Sequence, residues 1–184
     1  MTGNGFSIIP ATSATYLSIT VIVLLAVVPL ILGAFFLFRK SGQMKIPKII
    51  FVVAAMIVLF ICVMFLYFAY SAAKTQFIVS DEGLEIKGCL YGRAVSKESI
   101  DKERVKIINL MREQDYRPVV RTNGVGLPGY LSGWFRLKNG EKALLFVTNQ
   151  ADVIYVPTSE GYCVLLSPSE PADFLNMTRQ MWND

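Results

Sequence analysis

Residues 49–87 read IIFVVAAMIVLFICVMFLYFAYSAAKTQFIVSDEGLEIK, and the fold turns on the change of pattern inside that stretch. Ile49 to Ala73 is a run of 25 residues without a charge. At 1.5 Å of rise per residue, about 20 apolar residues span the hydrocarbon of a bilayer. From Phe77 the period becomes two. Phe77-Ile78-Val79 and Leu84-Glu85-Ile86-Lys87 flank Ser80-Asp81-Glu82-Gly83, with glycine where a hairpin turn needs positive φ. A helix-length apolar run therefore leads straight into strands.

Toward the N-terminus lies a second run, Tyr16 to Phe38, 23 residues without a charge. It has no basic segment ahead of it and is longer than the apolar part of a secretion signal, so it reads as a retained span. Pro29 lies inside it and predicts a kink. Tyr16, Tyr67 and Tyr70 sit near span ends, where amphipathic rings favour the headgroup level. Residues 39–48 join the two runs and carry Arg39, Lys40, Lys45 and Lys48 with no acid among them. Those four residues are the whole formal charge of +4, because residues 74–184 hold 14 basic and 14 acidic side chains. Basic residues beside span ends stay in the cytoplasm. The expected organisation is a short extracytoplasmic tail at 1–15, transmembrane helices at 16–38 and 49–73, a basic cytoplasmic loop at 39–48, and an extracytoplasmic soluble domain at 74–184.

Toward the C-terminus the strands continue. Leu90 to Val95 and Val105 to Leu110 read as the third and fourth. Trp134 to Leu137 and Ala143 to Val147 flank Asn139-Gly140, a strong hairpin signal. Val153 to Val156 and Tyr162 to Leu166 form a further hairpin. Ser167-Pro168-Ser169-Glu170 predicts a helix start, followed by Phe174, Leu175, Met177 and Met181 on one face. About seven strands and one terminal helix result.

That order resembles the pleckstrin-homology superfold, and specifically a bacterial PH-like domain behind a transmembrane hairpin. The resemblance is carried by Phe77 to Leu84, Leu90-Tyr91-Gly92-Arg93, Tyr116-Arg117-Pro118, Arg121 to Tyr130, Gly133 to Ala143 and Leu165 to Pro168. It implies a bent antiparallel sheet or partly open barrel capped by a C-terminal helix. It also implies attachment to a bacterial cytoplasmic membrane, in a family mostly without an assigned biochemical role. Members of the wider superfold that read phosphoinositides use basic residues at the first hairpin turn. Here that turn carries Asp81 and Glu82, which argues against phosphoinositide as a ligand.

The chain contains no histidine, which removes the usual base near neutral pH and the imidazole metal ligands. No carboxylate pair stands beside a nucleophile, so the expectation is no enzyme, no cofactor and no metal. No basic stripe argues for nucleic acid. Cys62, Cys89 and Cys163 match no metal or redox spacing. A Cys89–Cys163 disulfide is one reading, and two small half-buried strand residues is the other. The segment Arg112 to Arg136 draws notice for its four arginines, interleaved aromatics and four glycines after residue 123. Its candidate contact residues are Arg117, Arg121, Asn123, Tyr130, Trp134 and Arg136. Arginine beside tyrosine or tryptophan suits a protein interface, and arginine also binds small anions in a fork. The structural alternative is an irregular excursion whose arginines stack on the aromatics or pair with Glu113 and Asp115. The leading expectation is a membrane-tethered module that docks a protein partner or copies of itself. A sensor for a small anionic ligand near Arg117–Arg136 and an accessory subunit of a larger membrane complex are the alternatives.

Overall fold

A computed structural model describes residues 4–10, 13–39 and 48–182. The chain divides into two units, residues 16–70 and the remainder. The first unit is helical. Helix α1 runs Ser13–Arg39 with Pro29 inside it, and helix α2 runs Lys48–Lys74. Within α1, Thr15–Phe35 is long and apolar enough to cross a membrane; in α2 the described apolar stretch is Val52–Met64. Leu25 is 71% exposed and Phe60 66%, side chains that water does not tolerate in such numbers. Lys40 and Lys45 of the basic loop lie outside the described residues, and Arg39 and Lys48 are the facing ends of the two helices.

The second unit is mainly β. Its first sheet holds β1 (Asn4–Ser7), β2 (Gln76–Ser80), β3 (Gly83–Lys87) and β4 (Ala94–Ser96), in that order and antiparallel. Strand β1 lies ahead of both long helices in sequence, yet Asn4 to Ser7 pair with Val79 to Gln76. The Ile8 amide donates to the Thr75 carbonyl, Ile9 to Ser167 and Ser169 to Ser7, so the tail is stitched at both sides. Four polar or half-exposed residues with no alternation give no strand signal, which is why residues 1–15 read as a plain tail.

The second sheet holds β5 (Lys106–Ile108), β6 (Pro118–Leu127), β7 (Tyr130–Leu137), β8 (Lys142–Val147), β9 (Val153–Pro157) and β10 (Cys163–Leu166). Its order is β5-β9-β10-β8-β7-β6. The expected all-antiparallel sheet needs correction here, because β10 inserts between β8 and β9 and pairs with β8 in parallel. The strand count of about seven also rises to ten among the described residues, because β1 joins and Arg112–Arg136 is not an irregular excursion; the expected Leu90–Val95 strand shortens to β4. Most of that segment is the long β6–β7 hairpin. β6 is an edge strand, exposed or half-exposed along its whole length, and two register shifts interrupt it. A strand wet on both faces has no alternation to read.

β8, β9 and β10 are the opposite case: nearly continuous apolar runs buried on both faces. On one face Leu144, Phe146, Ile154, Val156, Val164 and Leu166 meet Phe77, Val79, Leu84 and Ile86 of the first sheet. On the other, Leu145, Val153, Tyr155, Cys163 and Leu165 meet Ile108, Leu110, Phe135 and Leu137. Strands from both ends of the sheet thus share one core, as a strongly bent sheet requires.

Helix α3 (Pro171–Trp182) closes the first core. It buries Phe174, Thr178 and Trp182 at four-residue spacing, with Leu175, Met177 and Met181 half-buried beside them. The Trp182 indole N–H donates to the Ser80 carbonyl at 3.1 Å. The helix begins later than the sequence suggests. Ser167 does not cap it but is buried at the end of β10, where its hydroxyl donates to the Asn149 carbonyl. Pro171 takes the first helical position, where its missing N–H costs nothing.

Candidate functional site

The β6–β7 hairpin carries most of the candidate contact residues. Gly124 and Gly133 lie directly opposite each other. A Cβ on Gly133, whose φ is +108°, would stand 2.5 Å from the Asn123 carbonyl oxygen and 2.6 Å from Gly124 Cα. The glycines are therefore explained by close approach of two backbones. The Tyr91 ring packs over Gly133, and its hydroxyl donates to Asn123 Oδ1 at 3.1 Å.

Register sorts the six candidate residues. Opposite residues of an antiparallel pair project to the same face. Asn123 faces Trp134, and Val120 faces Arg136, on the side of the first sheet. Arg121 faces Phe135 on the reverse side, where its guanidinium lies over Gly126. Tyr130 is buried, and burial raises its pKa. Arg117 precedes β6, with its carbonyl accepting from the Lys138 amide. The structure thus brings Asn123, Trp134 and Arg136 together, leaves Tyr130 buried farther along the same face of β7, and separates Arg117 and Arg121 from them. The arginines do not pair with Glu113 or Asp115; Glu113 pairs with Lys106 at 3.7 Å.

Residues outside the hairpin complete a cluster around Trp134. Tyr162, from the end of the β9–β10 turn, meets the indole edge-on at 5.2 Å. Arg93, from the turn between β3 and β4, places its guanidinium carbon 5.4 Å from the centroids of both rings. Lys142 of β8 lies 4.4 Å from the Trp134 centroid. These distances permit cation–π attraction. The Tyr162 hydroxyl is buried, and burial raises its pKa; Arg93 beside it pulls the pKa back while Glu160 raises it further. Sequence reasoning missed Arg93, Lys142 and Tyr162, because they come from three separate connections. The one available sign was Arg93 within the Leu90–Arg93 turn motif.

A second cluster lies inside the bent sheet. Tyr116 packs on Tyr155 at 4.8 Å, and the Tyr155 hydroxyl donates to Glu141 at 3.3 Å. Cys163 is buried beside them, and burial with the nearby Glu141 charge pushes its thiol up to about 12. A thiol so placed stays protonated near neutral pH and is a poor nucleophile. Cys89 and Cys163 are both free, and they pack against different cores, so the disulfide reading does not hold. No group of three or more metal-ligating side chains occurs among the described residues.

A family model for the bacterial PH domain matches residues 75–181, more than half of the chain. The chain belongs to the bacterial PH domain family. The match starts at Thr75, the one residue between α2 and β2, and ends at Met181 in the last turn of α3. It therefore covers both sheets and the capping helix and leaves out β1. No curated protein matches the chain, and no solved structure does. Within this bacterial PH domain the turn between β2 and β3 carries Asp81 and Glu82.

Proposed function

We propose that this chain is a bacterial PH module fixed in the cytoplasmic membrane by a two-helix hairpin, where it docks a protein partner or further copies of itself at the bilayer surface. The observation that carries the reading is the pairing of β1 with β2. Strands that share hydrogen bonds share a compartment, so the chain between Ser7 and Gln76 crosses the membrane an even number of times. If α1 crosses, α2 returns. The exposed Leu59, Phe60 and Leu66 of α2 support that return crossing. A cleaved signal would strip β1 from its sheet. The basic residues between the helices favour a cytoplasmic loop and a PH domain outside.

Docking is favoured over a small-ligand pocket because the arginines of the β6–β7 hairpin lie on two faces of a sheet. Such a distribution suits a broad contact. Only Thr75 separates α2 from β2, so no long linker joins them in sequence. Purification of the full chain in mild detergent tests the reading. A discrete partner or a defined oligomer is expected, and it should be lost when residues 74–184 are removed. A monomer that retains no partner under conditions that preserve the fold contradicts it.

A further inference from the structure

Arg136 and Lys142 are register partners on neighbouring strands, so two positive charges leave the same face side by side. Like charges directly opposite repel. Arg93 adds a third charge across the Trp134 ring. None of the three forms an ion pair with a described carboxylate; the ion pairs there are Lys87–Glu85, Arg104–Asp101 and Lys106–Glu113. One acid, Glu160, stands beside Tyr162 at the exposed edge of the cluster and forms an ion pair with none of the three. Arg93 and Lys142 are held against a half-buried indole, and Arg136 leaves the same face beside Lys142, none of the three in an ion pair with a described carboxylate; the surplus of positive charge makes this a binding surface for carboxylates. Guanidinium forks add geometric selectivity.

The same face has an apolar border. Val120, opposite Arg136, is 53% exposed. A free phosphate gives this valine nothing to touch.

We propose that the Trp134 face of the second sheet, with Arg93, Arg136, Lys142 and Val120, docks an acidic segment of a partner protein that presents carboxylates beside an apolar side chain. This deepens the docking reading above and rests on it. The test uses the full chain in mild detergent and a short fluorescein-labelled peptide, rich in glutamate with a central Leu-Phe pair. Anisotropy is read at about 0.1 M salt, where surface charges more than about 10 Å apart are largely screened. Saturable binding is expected, weakened about fivefold or more by Arg136→Gln and by Lys142→Gln and unchanged by Arg112→Gln. Melting of the Arg136→Gln variant should be unchanged or higher and that of Lys142→Gln should stay cooperative, which excludes misfolding as the cause. Absence of binding overturns the proposal, as does binding that ignores Arg136 and Lys142. Displacement by inorganic phosphate as readily as by unlabelled peptide would make it a small-anion site. Displacement by phosphatidylglycerol added to the micelles would make it a lipid site. In each of these cases the docking reading itself stands if a co-purifying partner is retained by the Arg136→Gln/Lys142→Gln chain, and falls if no partner exists.

Discussion

Phe6, which precedes both long helices, packs edge-on against Phe174 of the last helix, with ring centroids 5.2 Å apart. The two ends of the described chain thus meet in one core, with the apolar helices between them in sequence. Phe6→Ala removes that contact and loosens β1 from the sheet. Because Phe6 is half-buried, a loss of about 1–3 kcal/mol is expected, below the cost of a fully buried phenylalanine. Denaturant unfolding of the full chain in detergent, followed through the buried Trp182, measures it. Unchanged stability would mean that β1 contributes nothing.

Gly133→Ala should destabilise the domain by roughly 1–3 kcal/mol, since it combines an unfavourable φ with a backbone collision. Gly140→Ala is the control: its φ is also positive, but no atom lies within 4 Å of the added carbon. A larger shift in melting temperature for Gly133→Ala than for Gly140→Ala is the expected result. Equal shifts would remove the close-approach explanation of the glycine pair.

Arg136→Gln relieves the like-charge opposition with Lys142 and should raise stability by about 0.2–1 kcal/mol at low salt. The gain should shrink as salt is added. A residue kept at a cost to stability is one held for contact, so a marked loss of stability would instead assign Arg136 a structural role. Thermal melts at two salt concentrations decide.

Stability should fall as pH rises above 9. The Cys163 thiol is held at about 12 in the folded domain against 9.0 for an ordinary thiol. The unfolded chain therefore releases its proton first. Stability is fully present below pH 9 and is lost between 9 and 12, by up to roughly 1.4 kcal/mol per pH unit from this group. Tyr155, also raised by burial, adds to the loss at the upper end. Melting of the Cys163→Ala variant should depend less steeply on pH over that window. An equal slope would show that the thiol is not the group responsible.

Much of the domain was legible in the sequence, and the rest was hidden for physical reasons. The turns at Ser80–Gly83 and Asn139–Gly140 announce themselves through glycine at positive φ, and both occur where expected. The terminal helix shows through Phe174 and its neighbours, though Trp182, a fully buried anchor, fell beyond the stripe as read. The β6–β7 hairpin escaped because an edge strand with two register shifts carries no period. The parallel β8–β10 pairing escaped because periodicity fixes how a strand is buried and not which strand lies beside it. Of the candidate site, Trp134, Arg136 and Asn123 were in view. Arg93, Lys142 and Tyr162 come from distant connections that only the tertiary fold brings together.

The central claim is that β1 and the PH domain lie on one side of the membrane and the basic loop on the other. Single cysteines at Asn4, Ser41 and Ser159, in a chain whose three native cysteines are replaced, can be probed with a membrane-impermeant maleimide on intact cells. The account predicts labelling at Asn4 and Ser159 in intact cells, and at Ser41 only after the membrane is opened. Labelling at Ser41 with protection of the other two would invert the orientation. Labelling of Asn4 and Ser159 from opposite sides would contradict the account outright, because two strands of one sheet cannot be divided by a bilayer.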